Sequence, residues 1–343
     1  MKQKIIALDA MGGDHGPAVT VPAAKMALRE IPDIQLVLVG DETRLRTEVE
    51  KLGLSNEARI SIQHASQVVA MDEVPVLALK KKKDSSMRIA INLVKESRVQ
   101  ACVSAGNTGA LMATSKFVLR TISGISRPAI CTILPSMTGH TLMLDLGANL
   151  ECTPENLHQF AIMGSVLAQS VDGIEKPTVG LLNIGSETVK GSESIKKASQ
   201  LIDSSGLNYH GFIEGDDIYK GTVNVVVTDG FVGNVSLKTG EGLAALVNQV
   251  LRREFKKNIF TKLSALIALP VLRSVAKTLD PRRYNGASLL GLNGIVVKSH
   301  GGADTSSFFN AIKIASIEIE KDVPQRISRV VESYLTQTGE IHA

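Results

Sequence analysis

Short runs of β-branched and leucine residues recur along this chain with no polar alternation, and each is separated from the next by a longer stretch of helical period. A strand that is apolar on both sides is buried on both faces, and a strand–helix–strand rhythm lays helices above and below a largely parallel sheet. The pattern predicts strands over 4–8, 35–39, 59–64, 101–104, 129–134, 141–144, 178–183, 208–213 and 224–227. Helices are expected over 17–30, 42–52, 87–96, 108–120, 154–171, 192–203 and 305–321, with another after Pro324. The fold class is α/β, built of two-domain parallel-rich sheets with helices on both faces. At 343 residues the chain is about twice a common domain length, which suits two such units.

One stretch departs from the rhythm. From 233 to 279 no strand signal appears, and Leu243, Leu246, Val247, Val250, Leu251 and Phe255 recur at the three-and-four spacing of one helical face. A second face follows in Ile259, Leu263, Leu266, Ile267, Val271, Val275 and Leu279, broken at Pro270. The expectation is a helical hairpin, 233–280, standing off the α/β body. Two such helices bury their apolar faces most readily against a second copy, which gives a four-helix homodimer interface.

Aromatic residues make up only 3% of the chain, so platforms for stacking bases are few, and the dense basic run Lys80 to Lys83 suits a solvated helix end or loop. Nucleic acid is therefore not an expected partner. Cys102, Cys131 and Cys152 form no C-x-x-C pair, which disfavours a disulfide scaffold or structural zinc and fits a reducing cytoplasm. Residues 5–8 are too short an apolar run for a secretory signal. The most apolar stretches, 160–171 and 263–272, fall short of the roughly 20 residues that cross a bilayer.

In open parallel sheets, ligands bind beyond the carboxyl ends of the strands, a rule that selects five loops. They hold Asp9, Gly12, Gly13 and Asp14; Ser104, Gly106, Asn107, Thr108 and Gly109; Asp145 and Asn149; Gly185, Glu187, Lys190 and Gly191; and Asp229, Gly233 and Asn234. Each combines glycine with Asn, Asp, Ser or Thr, and several open a helix, the arrangement that presents backbone N–H groups to an anion. Asn107 or Thr108 serves equally as an ordinary helix cap. An anionic substrate is expected, although no Walker A loop, G-x-G-x-x-G after the first strand or G-x-S-x-G is present. Lys190, between glycine turns, neutralises a phosphate or stands solvated. His300, between a strand and a helix, can shuttle a proton near neutrality. Lys238, Lys298 and Asp304 complete the titratable set. Neither a metal nor another cofactor is expected, because the aspartates also make good turn and cap residues.

The blocks DAMGGDHGP (9–17), SAGNTGALM (104–112), LDLGAN (144–149), NIGSETVKG (183–191), TDGFVGNVSLKTGEG (228–242) and YNGASLLGLNG with VKSHGGADT (284–305) span nearly the whole chain in order. Together they resemble the bacterial phosphate acyltransferase family that begins phospholipid synthesis. The resemblance implies transfer of a long-chain fatty acyl group from acyl carrier protein to inorganic phosphate, giving acyl phosphate. It also implies a fold like that of isocitrate and isopropylmalate dehydrogenases and of phosphotransacetylase. Residues 1–124 with 285–343 would then form one α/β domain and 125–284 a second, with a cleft between them.

The chemistry of the loops agrees. Phosphate is already an oxygen nucleophile, so no acyl-enzyme is needed. It must be held by N–H groups and a cation, while the thioester carbonyl meets donors that stabilise its oxyanion. Lys190 is assigned to phosphate or the oxyanion, Asn234 and the Asn107 loop to donor roles, and His300 to proton transfer. Asp9, Asp145 and Asp229 are assigned to orientation. Competing readings are a short-chain phosphotransacetylase acting on acyl-CoA, a decarboxylating dehydrogenase, which lacks grouped arginines beyond Arg282 and Arg283, and a non-enzymatic acyl-carrier or lipid adaptor. The implied product must reach a downstream membrane acyltransferase. Leu266, Ile267 and Leu269, near the hairpin's turn, are therefore expected to touch the membrane surface, with Lys256, Lys257, Lys262, Arg273 and Lys277 facing anionic headgroups. The result would be a cytoplasmic, peripherally attached protein.

Overall fold

The computed structural model describes residues 3–278 and 281–337. The amino half alternates β1 (Lys4–Asp9), α1 (Pro17–Glu30), β2 (Ile34–Gly40), α2 (Glu42–Lys51), β3 (Ile60–His64), α3 (Pro75–Lys81), α4 (Ser86–Lys95), β4 (Ala101–Ser104) and α5 (Thr108–Leu119). A hairpin of β5 (Ala129–Ser136) and β6 (Gly139–Leu144) leads into α6 (Pro154–Val171), β7 (Val179–Leu182), α7 (Glu193–Asp203), β8 (Tyr209–Ile213), α8 (Asp217–Lys220) and β9 (Val225–Val227). Two long helices follow, α9 (Gly230–Phe255) and α10 (Ile259–Thr278), then β10 (Ala287–Leu290), β11 (Ile295–Lys298), α11 (Thr305–Lys321) and α12 (Val323–Gln337). Helix starts are marked by short polar residues. Asp41, Ser85, Asn107, Thr153, Ser192, Asp229 and Asp304 each accept from the N–H three positions on, satisfying a donor the helix leaves open.

The strands form one mixed sheet, in the order β3-β2-β1-β4-β11-β10-β5-β6-β9-β7-β8, where separate parallel-rich sheets were expected. The group β3 to β11 is parallel, and so is the group β6-β9-β7-β8. Between them β10 runs antiparallel to both β11 and β5, and β5 antiparallel to β6. Three reversals leave the two parallel groups pointing in opposite directions. The first two of the five selected loops therefore leave one edge of the sheet, and the other three leave the opposite edge. Right-handed twist, about 20–25° per strand, swings the two edges part of the way toward each other over these three steps.

Every expected strand has its counterpart, and β10 and β11 are additions. Each is four residues long and set among Gly286, Gly291 and Gly294, too short to show a period. One apolar cluster runs through both halves on a single face of the sheet, including Ala7, Cys102, Val296, Leu289, Ile130 and Met143, with Leu237 of α9 packed against it. Side chains alternate along a strand, so Asp9, Ser104 and Lys298 project to this same face.

Helices α9 and α10 form the expected hairpin, with two corrections. α10 continues through Pro270, because on an exposed helix the carbonyl that loses its N–H partner can turn to water. The turn lies at 256–258, so Ile259 and Phe260, the latter 77% exposed, stand nearest it. Leu266, Ile267 and Leu269 lie about two to three turns into α10. Leu279 and the side chains of Lys277 and Arg283 lie outside the described residues. No helix among the described residues is long and apolar enough to cross a membrane.

Candidate active site

At the carboxyl edge of the amino group, three loops meet closely enough that only glycine fits. A Cβ on Gly12 would stand 2.5 Å from Asp9 Oδ2 and 2.9 Å from the Gly106 nitrogen; one on Gly13 would stand 2.8 Å from the Gly301 carbonyl. The Asp14 N–H donates to that same carbonyl at 2.9 Å. Asp9 is buried at the floor, where its Oδ2 accepts from Ser104 Oγ at 2.6 Å and Ser104 Oγ accepts from the Gly106 N–H at 3.0 Å. Burial pushes the Asp9 carboxyl above its usual range, opposed by the Ser104 and Ser86 hydroxyls and the Met11 and Gly12 amides, and among the described residues no partner lies within hydrogen-bond geometry of Asp9 Oδ1. Three glycine-bearing loops thus converge at this edge with helix α5 opening beside them, an arrangement that suits backbone N–H groups to a small anion.

Asn107 belongs to this edge as a structural residue. Its Oδ1 caps α5 at Ala110, and its Nδ2 donates to the carbonyls of Met71 and Glu73 at 2.8 and 3.0 Å. Any donor offered here comes from the backbone N–H groups of exposed Thr108 and Gly109, not from the Asn107 amide. His300 is exposed on the loop after β11. Its Nδ1 accepts from the Gly302 N–H at 3.1 Å, so the neutral ring carries its proton on Nε2. Asn285 holds this loop by accepting from the His300 N–H at 2.9 Å and donating to Ser299 Oγ at 2.8 Å.

The other edge holds two groups. Asp145 is buried; its Oδ1 accepts from the N–H groups of Ile130, Leu146 and Ala148, and its Oδ2 from the Asn149 N–H and side chain. Asn149 also donates to the Pro128 carbonyl, so this pair organises its own loop. Asp229 caps α9 through Val232. Gly233 lies so close to the Asp145 carbonyl that a Cβ would stand 1.8 Å away, which presses exposed Asn234 against the Gly147 turn. The second group, after β7, is an exposed loop in which a Cβ on Gly185 would meet Glu187 and Lys190, and Gly191 sits against Asn183. Among the described residues no ion pair engages Lys190, and no hydrogen bond joins it to either of the other groups.

Helix α9 links the edges. It starts at the β9 edge and runs back along the shared face, bringing Lys238 within electrostatic reach of Lys298 at the end of β11. Lys298 belongs to the titratable set read from the sequence but has no role there, and Asn285 carries no sequence assignment beyond its place in the YNGASLLGLNG block. The available signal was a lysine closing a wholly apolar run, Ile295–Lys298, directly before Ser-His-Gly-Gly. Burial pushes the Cys102 and Cys131 thiols far up and the Cys152 thiol up to about 12, which leaves no thiolate nucleophile near neutrality. Among the described residues no group of three or more His, Cys, Asp or Glu stands close enough to hold a metal ion.

The model of a family described as "Fatty acid synthesis protein" matches residues 4–326 of the chain. A phosphate acyltransferase of Nitrosococcus oceani is 58% identical over 332 residues, covering 97% of this chain and 98% of that protein. Among solved structures, a phosphotransacetylase from Streptococcus pyogenes aligns with a TM-score of 0.63 at 17% identity, covering 93% of this chain and 95% of that one. A 4-hydroxythreonine-4-phosphate dehydrogenase from Klebsiella pneumoniae aligns with a TM-score of 0.53 at 16% identity, over 92% and 97%. These two show a shared fold alone.

Proposed function

The chain belongs to the fatty acid synthesis protein family and transfers acyl groups to phosphate for phospholipid synthesis, and on that premise we propose that the donor is acyl carrier protein carrying a long-chain fatty acyl thioester. The observation that carries the site is the convergence of the Gly12, Gly106 and Gly301 loops over Asp9, with His300 on one of those loops. Phosphate sits there against backbone N–H groups, and one of its oxygens attacks the thioester carbonyl. The C–O bond forms, a tetrahedral oxyanion develops, and the C–S bond breaks to release the carrier's thiolate, which takes up a proton. His300 Nε2–H is the group placed to give that proton. Lys190 and Asn234 serve the phosphate or the oxyanion from the opposite wall, and Asp229 and Asp145 act by fixing the loops that carry them.

We further take residues 1–124 with 285–343 and residues 125–284 as two units closing on this cleft, in the manner of isocitrate dehydrogenase. The hairpin is read as the homodimer interface, because Leu243 and Leu246 on α9 and Val271 on α10 stay 56% or more exposed in the single chain. Membrane contact falls to the first half of α10, where Phe260 beside the turn and Leu266 and Ile267 about two turns on are 71% or more exposed. Incubation with palmitoyl-loaded acyl carrier protein and phosphate should give acyl phosphate and free thiol, while acetyl-CoA should react far more slowly. Absence of phosphate-dependent thiol release from the carrier protein sinks the donor assignment, and preferential use of acetyl-CoA favours the short-chain alternative.

A further inference from the structure

Asp9, Ser104 and Lys298 occupy one row across three adjacent strands, since Asp9 pairs with Ser104 between β1 and β4, and Ser104 pairs with Lys298 between β4 and β11. Residues in one register row share a face, and the Ser104–Asp9 hydrogen bond shows it. At about 4.8 Å per strand, the Lys298 backbone stands about 10 Å from that of Asp9, with Ser104 between. Lys298 is 8% exposed, and its ammonium donates to the Ala105 carbonyl at 3.3 Å and to the Ser299 carbonyl. Both carbonyls open converging glycine loops of this edge. An ammonium has three donors, and two acceptors engage this one. No carboxylate lies within ion-pairing distance of it among the described residues.

A buried ammonium without a counter-ion is costly, and folds rarely keep one without use. The charges around it are Asp9 on β1 and Asp14 after it, Lys238 on α9, and His300 two residues along its own loop. We infer that Lys298 is the cation that holds the phosphate substrate where the Gly12, Gly106 and Gly301 loops converge, its missing counter-ion being the bound anion. The assignment rests on the proposed function above and deepens it: phosphate goes to Lys298, which leaves Lys190 for the oxyanion. Burial lowers the Lys298 ammonium to about 8, with Asp9 and Asp14 opposing and Lys238 assisting, so its charge is lost just above neutrality.

The test is phosphate binding by calorimetry on the intact protein, alongside thermal unfolding. Lys298→Met keeps the stem and removes the charge. It should weaken inorganic phosphate binding at least tenfold and raise the phosphate KM likewise, with the acyl-donor KM within about twofold. Its melting temperature without phosphate should equal or exceed the parent's, since an unpaired buried charge is gone. A lysine that merely ties two loops together would lower the melting temperature and leave phosphate affinity alone, and that result overturns the inference. In the parent, phosphate binding should weaken about tenfold per pH unit above pH 8, and Lys298→Arg should abolish that dependence. Binding independent of pH from 7.5 to 9.5 in the parent overturns it even if neither variant folds. A parent that binds no phosphate overturns the function as well. A parent that binds and turns over phosphate, beside a Lys298→Met that binds it equally, overturns this assignment alone.

Discussion

Glu318 is a buried carboxyl with a measurable signature. It sits on α11 in a slot of about 70 Å³ lined by Cys131, Leu142, Leu167, Gly286, Ile314 and Ile317, and among the described residues its one hydrogen-bond partner is the Ser288 hydroxyl of β10. Burial pushes its carboxyl from the ordinary 4.5 up to about 7. Between these two values the folded protein holds a proton that the unfolded chain has already lost, so the stability contributed by Glu318 falls as pH rises through that window. At about 1.4 kcal/mol per pH unit the loss totals about 3 kcal/mol by pH 7.5. Glutamine cannot titrate. Glu318→Gln should therefore gain on the parent by about 3 kcal/mol between pH 4.5 and 7.5. With an unfolding entropy near 2 cal/mol/K per residue, that is a relative rise of about 4–5 °C in melting temperature for this length of chain. Any fixed effect of the glutamine amide on Ser288 shifts both ends equally and cancels from the slope. The assay is thermal unfolding of both proteins across that pH range in one buffer series. A difference that stays constant within about 1 °C from pH 4.5 to 7.5 would refute the assignment of a buried, nearly unpaired carboxyl.

Lys190→Ala should lower the acyl-transfer rate about 100-fold while leaving the melting temperature within about 1 °C, because the side chain is exposed and makes no ion pair among the described residues; activity within about threefold of the parent would make it a solvated lysine. Gly12→Ala should abolish phosphate binding, since its methyl would stand 2.5 Å from Asp9 Oδ2 and 2.9 Å from the Gly106 nitrogen, and calorimetry showing parental affinity would contradict the packed geometry. Val247→Glu and Leu251→Glu should each turn a sedimenting dimer into monomer or aggregate, and well-behaved dimers from both would remove the hairpin from the interface. Phe260→Ser combined with Ile267→Ser should leave acyl transfer in solution intact and abolish co-sedimentation with anionic vesicles, so retained binding would place any membrane contact elsewhere.

The strands and helices visible in the sequence were those whose signal is local. Val225–Val227 is apolar on every position, and Thr153 caps its helix in a pattern readable from four residues. Strand direction was not readable, because it is set by pairings between distant segments such as β10 with β5. That long-range fact divides the five loops between two edges. Side-chain use was equally hidden. Asp145 and Asn107 have the composition of ligand-binding residues, yet their polar atoms are occupied within their own loops. Glu318 carried a signal, since it continues the apolar stripe of Ala311 and Ala315 at helical spacing, but a stripe read for hydrophobicity passes over its one acid.

The place of β11 in the sheet bears on how the chain is made. It lies between β4 and β10, and Lys298 reaches a carbonyl 193 residues earlier in the chain. Synthesis at about 5–20 residues per second therefore leaves β4 without its neighbour for about 10–40 seconds after it leaves the ribosome. During that time the first four strands form a subsheet with β4, apolar at three of its four residues, as an open edge of the kind that pairs with other chains. The sheet becomes continuous only when one of the last strands is inserted at its centre. Truncations that stop before residue 295 should accordingly accumulate as aggregates, even though they contain a complete amino-terminal set of strands and helices.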